Sequence, residues 1–193
     1  MEKVKQSLSD VAHNWTAIIV AILFLFSVQP GPTETKALEV ADSVLLEQKL
    51  TTKNEKQLKK ETLEKYSNTV YKPSEMLTDK ELKELLIAVG FEGKALKTAW
   101  AVAKSESNGR PMAYNGNRKT GDSSYGIFQI NMLGNLGIDR KEKFELRSNV
   151  LLFDPVINAE ITYYMTQGGN NWSSWSSIKN GAVNKWLAEF PNQ

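Results

Sequence analysis

Glu106 is the acidic side chain whose position in the sequence best suits chemistry. A helix is predicted from about Gly93 to Glu106, and the polar run Ser107 to Pro111 follows it. Pro111 disfavours helical backbone at the residue before it, so the helix must end in this run. A glutamate at the C-terminal end of a helix faces the negative pole of the helix dipole, and shielding by aromatic rings would also favour its neutral form. Such a carboxyl group can act as a general acid.

The same position also suits an ordinary surface residue. Lys104 and Arg110 lie close enough in the sequence to form an ion pair with Glu106 at the end of the helix. From spacing alone, both interpretations remain open: a general acid in a cleft, or a solvated glutamate that ends a helix.

Several ordered motifs surround and follow this glutamate. ESNGRPMAYNGN and SSYGIFQIN combine a Glu-Ser pair, a polar loop and an aromatic-Gly-apolar-apolar-Gln-apolar stretch, and LFDPVINAEITYYM and NNWSSW lie further along the chain. Over about residues 78–180 these motifs resemble the lysozyme-like superfamily, which includes the animal and phage lysozymes and the soluble lytic transglycosylases. The resemblance implies a mainly α fold, that is, an α+β lysozyme-like domain, and an enzyme that degrades peptidoglycan.

The resemblance also implies roles for individual residues. Glu106 would be the catalytic acid that protonates the β-1,4 glycosidic oxygen between N-acetylmuramic acid and N-acetylglucosamine, and Trp172 would be the ring that shields it. Either Tyr163 or Tyr164 would reach the glutamate; adjacent helix residues point about 100° apart, which leaves open which one does. The residues implied to contact sugar or form the cleft wall are Ser124, Tyr125, Gln129, Asn131, Tyr163, Tyr164 and Trp172.

The second carboxylate is where the sequence departs from the animal lysozymes. Hydrolytic glycosidases use two acidic groups, yet the position before the aromatic residue of the Tyr-Gly-Ile stretch is Ser124. Asp122 is the nearest carboxylate and could orient a water molecule, although its Gly-Asp-Ser-Ser context is also typical of a turn. A lytic transglycosylase needs only Glu106, first as acid and then as base. We therefore expect a lytic transglycosylase, with a hydrolytic lysozyme using Asp122, or a non-catalytic structural or wall-binding protein, as alternatives.

Composition excludes several other classes of function. The 193 residues carry 24 Lys and Arg against 22 Asp and Glu, without the one-sided basic charge that is typical of nucleic-acid binding. The absence of cysteine excludes disulfides, thiol catalysis and most structural zinc sites. The single histidine, His13, stands beside an apolar run, and a metal site needs several ligands. We expect neither a metal nor another cofactor.

An apolar segment occupies residues 15–28 and ends at the breaker run Gln-Pro-Gly-Pro. It is shorter than the roughly 20 residues of an ordinary transmembrane helix, and a buried helix or a signal peptide is an alternative. We predict an uncleaved anchor in region 1–32, which contacts a membrane or other virion proteins. Lysines before the segment favour a cytoplasmic N-terminus, which places the rest of the chain on the side of the cell wall. A phage virion is the alternative location.

Two further regions follow this anchor. Residues 33–72 are rich in Glu, Lys, Gln and Leu without Gly or Pro, which predicts an exposed helical stalk. Residues 73–193 form the predicted catalytic domain. A capping-box pattern from Thr78 to Glu81 begins a helix that stops at Gly90, a further helix is predicted over 155–167, and Tyr125 to Ile130 is predicted to be a strand or a buried turn.

Overall fold

A computed structural model describes residues 34–117, 119 and 121–191. The predicted anchor at 15–28 and His13 lie outside these residues. The described part is mainly helical, as expected, with one small sheet. None of its helices combines the length and the apolar character that crossing a bilayer would require.

The helix predicted within 33–72 is present as α1, Glu34–Ser67. Its side chains from Ser43 to Glu61 are all exposed, as the charged composition predicts. The pattern changes in the last turns, where Thr62 is 7% and Tyr66 only 2% exposed. The end of α1 therefore packs as part of a folded core.

The compact unit that contains this core begins before the predicted boundary at residue 73, because it comprises Lys53–Gln193. The Tyr66 hydroxyl donates a hydrogen bond to Oε2 of Glu84 at 2.9 Å, and the Ser67 hydroxyl donates one to Oδ2 of Asp154 at 2.5 Å. The composition changes at residue 73, but the packing boundary does not coincide with it, because a helix can be polar along most of its length and still bury its last turn.

Helix α2, Asp79–Val89, has the predicted ends. The Thr78 side chain accepts a hydrogen bond from the backbone N–H of Glu81, and the Glu81 side chain accepts one from the backbone of Thr78. This capping box satisfies donors that an open helix end would leave unpaired. Gly90 ends the helix in a left-handed conformation with φ 118°, and the leucines at 82, 85 and 86 are fully buried.

Helix α3, Gly93–Ser107, ends one residue later than predicted and carries Glu106 in its last turn. Ala99, Trp100 and Ala103 are fully buried on the inner face of α3. Asn108 ends the helix with a left-handed backbone, and its N–H donates to the carbonyls of the preceding turn. A buried helix thus presents the carboxyl group of Glu106 at a fixed point.

The sheet consists of three two-residue antiparallel strands in the order β1-β2-β3: Tyr114–Asn115, Ser124–Tyr125 and Ile130–Asn131. Asn115 pairs with Ser124, which in turn pairs with Asn131. Residues 125–130 are predicted to be a strand or a buried turn. The segment contains the end of β2, a tight turn and the start of β3.

Helices α4 to α7 and a short 3-10 helix complete the unit. Their bounds are Gly134–Lys143 for α4, Asn149–Phe153 for the 3-10 helix, Pro155–Met165 for α5, Ser176–Lys179 for α6 and Asn184–Ala188 for α7. The Asp154 side chain caps α5 by accepting from two backbone N–H groups, and Pro155 occupies the first turn. Pro at this position needs no N–H partner, which favours the start of a helix here.

Asn158 on α5 connects the helical part to the β2-β3 turn. It is fully buried, and its Oδ1 accepts from the Phe128 N–H at 2.9 Å. Its Nδ2 donates to the carbonyls of Tyr125 and Leu152 at 2.9 and 3.0 Å. A fully paired buried amide of this kind fixes the path of the turn, because each broken bond would leave a polar group unsatisfied.

Candidate active site

Glu106 is half-buried and hydrogen-bonded, with a partner on a different helix. The hydroxyl of Ser177, at the second residue of α6, donates to Oε1 of Glu106 at 2.5 Å. The surface ion pair considered from the sequence does not form. Lys104 Nζ bonds Oδ1 of Asp79 at 2.9 Å, and Arg110 Nε donates to the Ser107 carbonyl at 3.0 Å.

The surroundings of Glu106 favour its protonated form. Burial raises the pKa of the carboxyl above its ordinary value, since desolvation penalises the charge. The hydrogen bond from Ser177 lowers the pKa and offsets part of this effect, while the negative charge of Asp122 raises the pKa further. The net direction is upward, as required of a carboxylic acid that donates a proton near neutral pH.

Glu106 faces a polar cavity of about 230 Å³ between the end of α3, the sheet and the segment that leads into α6. Its walls combine hydroxyl, amide, acidic and guanidinium groups with the rings or stems of a few larger side chains. The cavity is lined by Glu106, Asn115, Asp122, Ser124, Gln129, Ile130, Asn131, Arg140, Met165, Ser174, Trp175 and Ser176.

Asp122 and Ser124 lie side by side on the sheet wall of this cavity. The Ser124 hydroxyl donates to Oδ1 of Asp122 at 3.5 Å. Across the β2-β3 pair, Asn131 bridges strand and loop: its Nδ2 donates to the Gly121 carbonyl at 2.7 Å, and its Oδ1 accepts from the Ser123 N–H at 3.3 Å. These bonds hold the loop that carries Asp122 against the sheet.

Gln129 reaches the cavity from the β2-β3 turn. Its backbone has φ 49°, a left-handed conformation that few residues other than glycine adopt. Its Nε2 donates to the carbonyls of Ala113 and Gly126 at 3.1 and 2.9 Å. These two bonds give the side chain a fixed orientation in the cleft wall.

Residues 83–177 match a family model described as a lysozyme-like domain. The chain contains a lysozyme-like domain. It has no significant match among curated proteins or solved structures. Lysozyme-like domains are in general glycosidases that act on peptidoglycan, so the match indicates this class of activity and of substrate.

The lysozyme-like domain brings five of the predicted site residues together in one cavity, and four others lie elsewhere. Glu106, Asp122, Ser124, Gln129 and Asn131 line it. Tyr125 follows Ser124 on a strand, where successive side chains point to opposite faces. Its ring packs 4.9 Å from that of Tyr114 and 5.4 Å from that of Phe153, away from the cavity lining.

Neither predicted tyrosine of α5 lines the cavity. Tyr163 packs edge-on against Phe91 with ring centroids 4.9 Å apart. Tyr164 is 61% exposed and contacts Phe144, with ring centroids 5.5 Å apart. The next residue, Met165, is the member of α5 that lines the cavity. Ser177, rather than a tyrosine, occupies the hydrogen-bonding position at Glu106.

Trp172, predicted to shield Glu106, lies in the aromatic core of the lysozyme-like domain. Its ring stacks 6.2 Å from that of Phe91, and its Nε1 donates to the Gly169 carbonyl at 2.9 Å. Trp175 is the tryptophan that lines the cavity, and its Nε1 donates to the Phe128 carbonyl at 2.9 Å. Both rings of the Trp-x-x-Trp motif are buried in the core, and Trp175 is the one that also lines the cavity, a difference that the sequence does not show.

In the described part of the lysozyme-like domain, no group of three or more His, Cys, Asp or Glu side chains is arranged to hold a metal ion.

Proposed function

We propose that the lysozyme-like domain cleaves the β-1,4 glycosidic bond between N-acetylmuramic acid and N-acetylglucosamine in peptidoglycan, with Glu106 as the general acid. The observation that carries this proposal is the half-buried carboxyl group of Glu106 at the cavity, with its pKa raised by burial. A protonated carboxyl group at such a cavity can donate its proton to the glycosidic oxygen as the bond to C1 breaks.

The proposed route after bond cleavage is that of a lytic transglycosylase. The ionised Glu106 accepts the proton of the C6 hydroxyl of muramic acid as that oxygen bonds to C1 of the same sugar. The product is a 1,6-anhydro sugar, and Glu106 returns to its protonated state. Ser124 supports this route, because it occupies the position at which the animal lysozymes have their second carboxylate, and one carboxyl group suffices.

Hydrolysis assisted by Asp122 is the second candidate, and a specific observation favours it. Asp122 lines the same cavity as Glu106, and its charge raises the pKa of Glu106. A carboxylate at this position orients a water molecule toward C1, and the product then has a reducing end.

Mass spectrometry of the products distinguishes the two routes. Purified cell walls are incubated with the full-length chain, and the released muropeptides are analysed with and without borohydride reduction. The lytic transglycosylase route predicts anhydro-muramyl ends that reduction does not change. Reducing ends that gain two hydrogens contradict that route and support Asp122, which an Asp122→Asn variant then tests. Wall binding without release of any muropeptide supports the non-catalytic alternative.

For location, the proposal is that residues 15–28 anchor the chain in a membrane with the lysozyme-like domain on the side of the cell wall. The apolar character of that segment supports it. In the alternative, the same segment contacts other proteins of a phage particle. Alkaline extraction of membranes retains an inserted chain in the pellet and releases a peripheral one, and recovery in purified phage particles instead would favour the alternative.

A further inference from the structure

Arg140 is a cationic side chain in the cavity to which the family resemblance assigns no role. It lies in the last turn of α4, and its half-buried side chain lines the cavity together with Glu106 and Asp122. Among the described residues of the lining, Arg140 is the one with a positive charge. The remaining lining residues are neutral apart from the two acids.

The hydrogen bonds of Arg140 leave most of its donors available. Nη1 donates to the backbone carbonyl of Asn131, a bond that fixes the guanidinium against β3. A guanidinium has five N–H donors in a planar fork. No carboxylate of the described residues lies within 4.0 Å of the Arg140 nitrogens. The ion pairs in the described part of the chain are those of Lys60, Lys65 and Lys104.

An ionic group that is partly withdrawn from water without an acidic partner is costly. Burial lowers the pKa of Arg140 from its ordinary value, which reports the same desolvation. Arginine nevertheless stays protonated in proteins. Among the described residues, no ion pair joins Arg140 to Glu106, whose hydrogen-bond donor is the Ser177 hydroxyl.

Only some sugar units of a peptidoglycan strand carry an anion that could pair with Arg140. N-acetylglucosamine offers hydroxyl and amide groups and no charge, whereas muramic acid carries a lactyl carboxylate or, in its place, a peptide stem with carboxylates of its own. A planar guanidinium binds a carboxylate through two parallel hydrogen bonds. A cation in this cavity therefore distinguishes muramic acid from N-acetylglucosamine.

We propose that Arg140 is a specificity residue that binds a carboxylate of a muramic acid unit, from its lactyl group or its peptide stem, and so determines which sugar occupies the cleft. This inference rests on the proposed function, because it assumes a glycan strand in the cavity beside Glu106. It makes Arg140 a binding residue that contacts substrate, distinct from the acid that cleaves the bond.

The test is binding by the full-length chain in a Glu106→Gln background, so that no probe is consumed. The probes are glycan strands stripped of peptide, strands with intact stems, and neutral chito-oligosaccharides of the same length. Arg140→Met removes the charge and retains an apolar stem. Lys141→Met on the exposed side of the same helix is the matched control. Melting temperatures establish that each variant is folded.

Arg140→Met is expected to weaken binding of muramic acid strands roughly tenfold to a hundredfold, as for a charge-assisted hydrogen-bonded pair, and to change chito-oligosaccharide binding less than about twofold. Lys141→Met leaves all three affinities within that margin. If Arg140→Met weakens binding of the stripped strands, the group that Arg140 binds is the lactyl carboxylate. If it weakens binding only of strands with stems, that group is a carboxylate of the peptide. Arg140→Lys, which keeps the charge without the planar fork, retains a preference for muramic acid strands and provides the test if Arg140→Met fails to fold.

An equal loss for the neutral probe, or no loss for any probe, overturns the assignment. If the Glu106→Gln chain binds muramic acid strands through Arg140 and the wild-type chain does not cleave them, the proposed function fails while Arg140 keeps its role. If no glycan binds at all, both fail.

Discussion

The Ser177 hydroxyl donates a 2.5 Å hydrogen bond to Oε1 of Glu106, joining α6 to the end of α3 across 71 residues of sequence. This bond stabilises the ionised carboxylate, whereas burial of Glu106 stabilises the neutral acid, and burial is the larger effect on the pKa. Ser177 is itself only 5% exposed. The net effect is a raised pKa, with Ser177 opposing part of the rise, which suits a group that alternates between acid and base.

Replacing Ser177 with alanine tests this balance. Loss of the donor destabilises the carboxylate, so the pKa of Glu106 rises further above its ordinary value. Activity that requires the protonated acid then extends to higher pH. The pH dependence of kcat/KM should show its alkaline limb displaced upward in Ser177→Ala. Ser173→Ala, an exposed serine before the same helix, should leave the limb in place. A downward displacement would contradict the role assigned to Ser177.

The same carboxyl group predicts a pH-dependent difference in stability. The pKa of Glu106 is higher in the folded protein than in the unfolded chain. The stability that this group contributes is therefore fully present below the unfolded pKa and is lost as pH rises through the folded pKa. Glu106→Gln cannot ionise. Its melting temperature relative to wild type should therefore rise from acid to alkaline pH and then level off. Exposed Glu92→Gln controls for the loss of one negative charge. A constant difference across this range would show that Glu106 is not desolvated.

A pair of glycines tests the packing of α5 against the β2-β3 turn. A Cβ on Gly126 would lie 2.2 Å from Nδ2 of Asn158 and 2.2 Å from the Leu152 carbonyl oxygen, whereas a Cβ on Gly121 meets none of the described residues within 4 Å. Both have positive φ, of 75° and 80°, so both substitutions bear backbone strain of about 1–2 kcal/mol. Gly126→Ala should cost at least about 2 kcal/mol more than Gly121→Ala in urea unfolding. Equal costs would mean that the Asn158 contact is absent.

Tyr66 tests whether the end of α1 belongs to the folded unit. It is 2% exposed and bonds Glu84, so Tyr66→Ala should lower the free energy of unfolding by about 3 kcal/mol. Tyr164→Ala, on a residue that is 61% exposed, should change it by less than about 1 kcal/mol. A chain that starts at residue 73 lacks Tyr66 and should melt lower than one that starts at residue 53. If both chains melt alike, the end of α1 does not contribute to the core.

Capping and stop residues in the sequence predicted those helix ends that are fixed by contacts between neighbouring residues. The Thr78–Glu81 capping box and the Gly90 stop are both present, because each is satisfied within one turn of α2. The position of Glu106 at the end of α3 followed from the same kind of signal. The lysozyme-like family was recognisable because its motifs retain their order along the chain.

Features that depend on distant contacts could not be read from the sequence. Trp172 and Trp175 are three residues apart and chemically identical, so only packing decides that both are buried in the core and that the second also lines the cavity. Ser177 and Arg140 belong to none of the recognised motifs, because the tertiary arrangement of two separate helices brings Ser177 to Glu106 and Arg140 to the cavity. Strand alternation was a usable signal for Tyr125, whose neighbour Ser124 lines the cavity while Tyr125 faces away.

The most direct test of the central claim is the clearing of purified peptidoglycan by the full-length chain and by Glu106→Gln, with folding verified by circular dichroism. Glutamine keeps the shape of the side chain and cannot donate a carboxyl proton. The proposed mechanism predicts that wild type clears the suspension and that the variant is slower by about 10²- to 10⁴-fold, the usual contribution of general acid catalysis. Equal rates for the two folded proteins would contradict it.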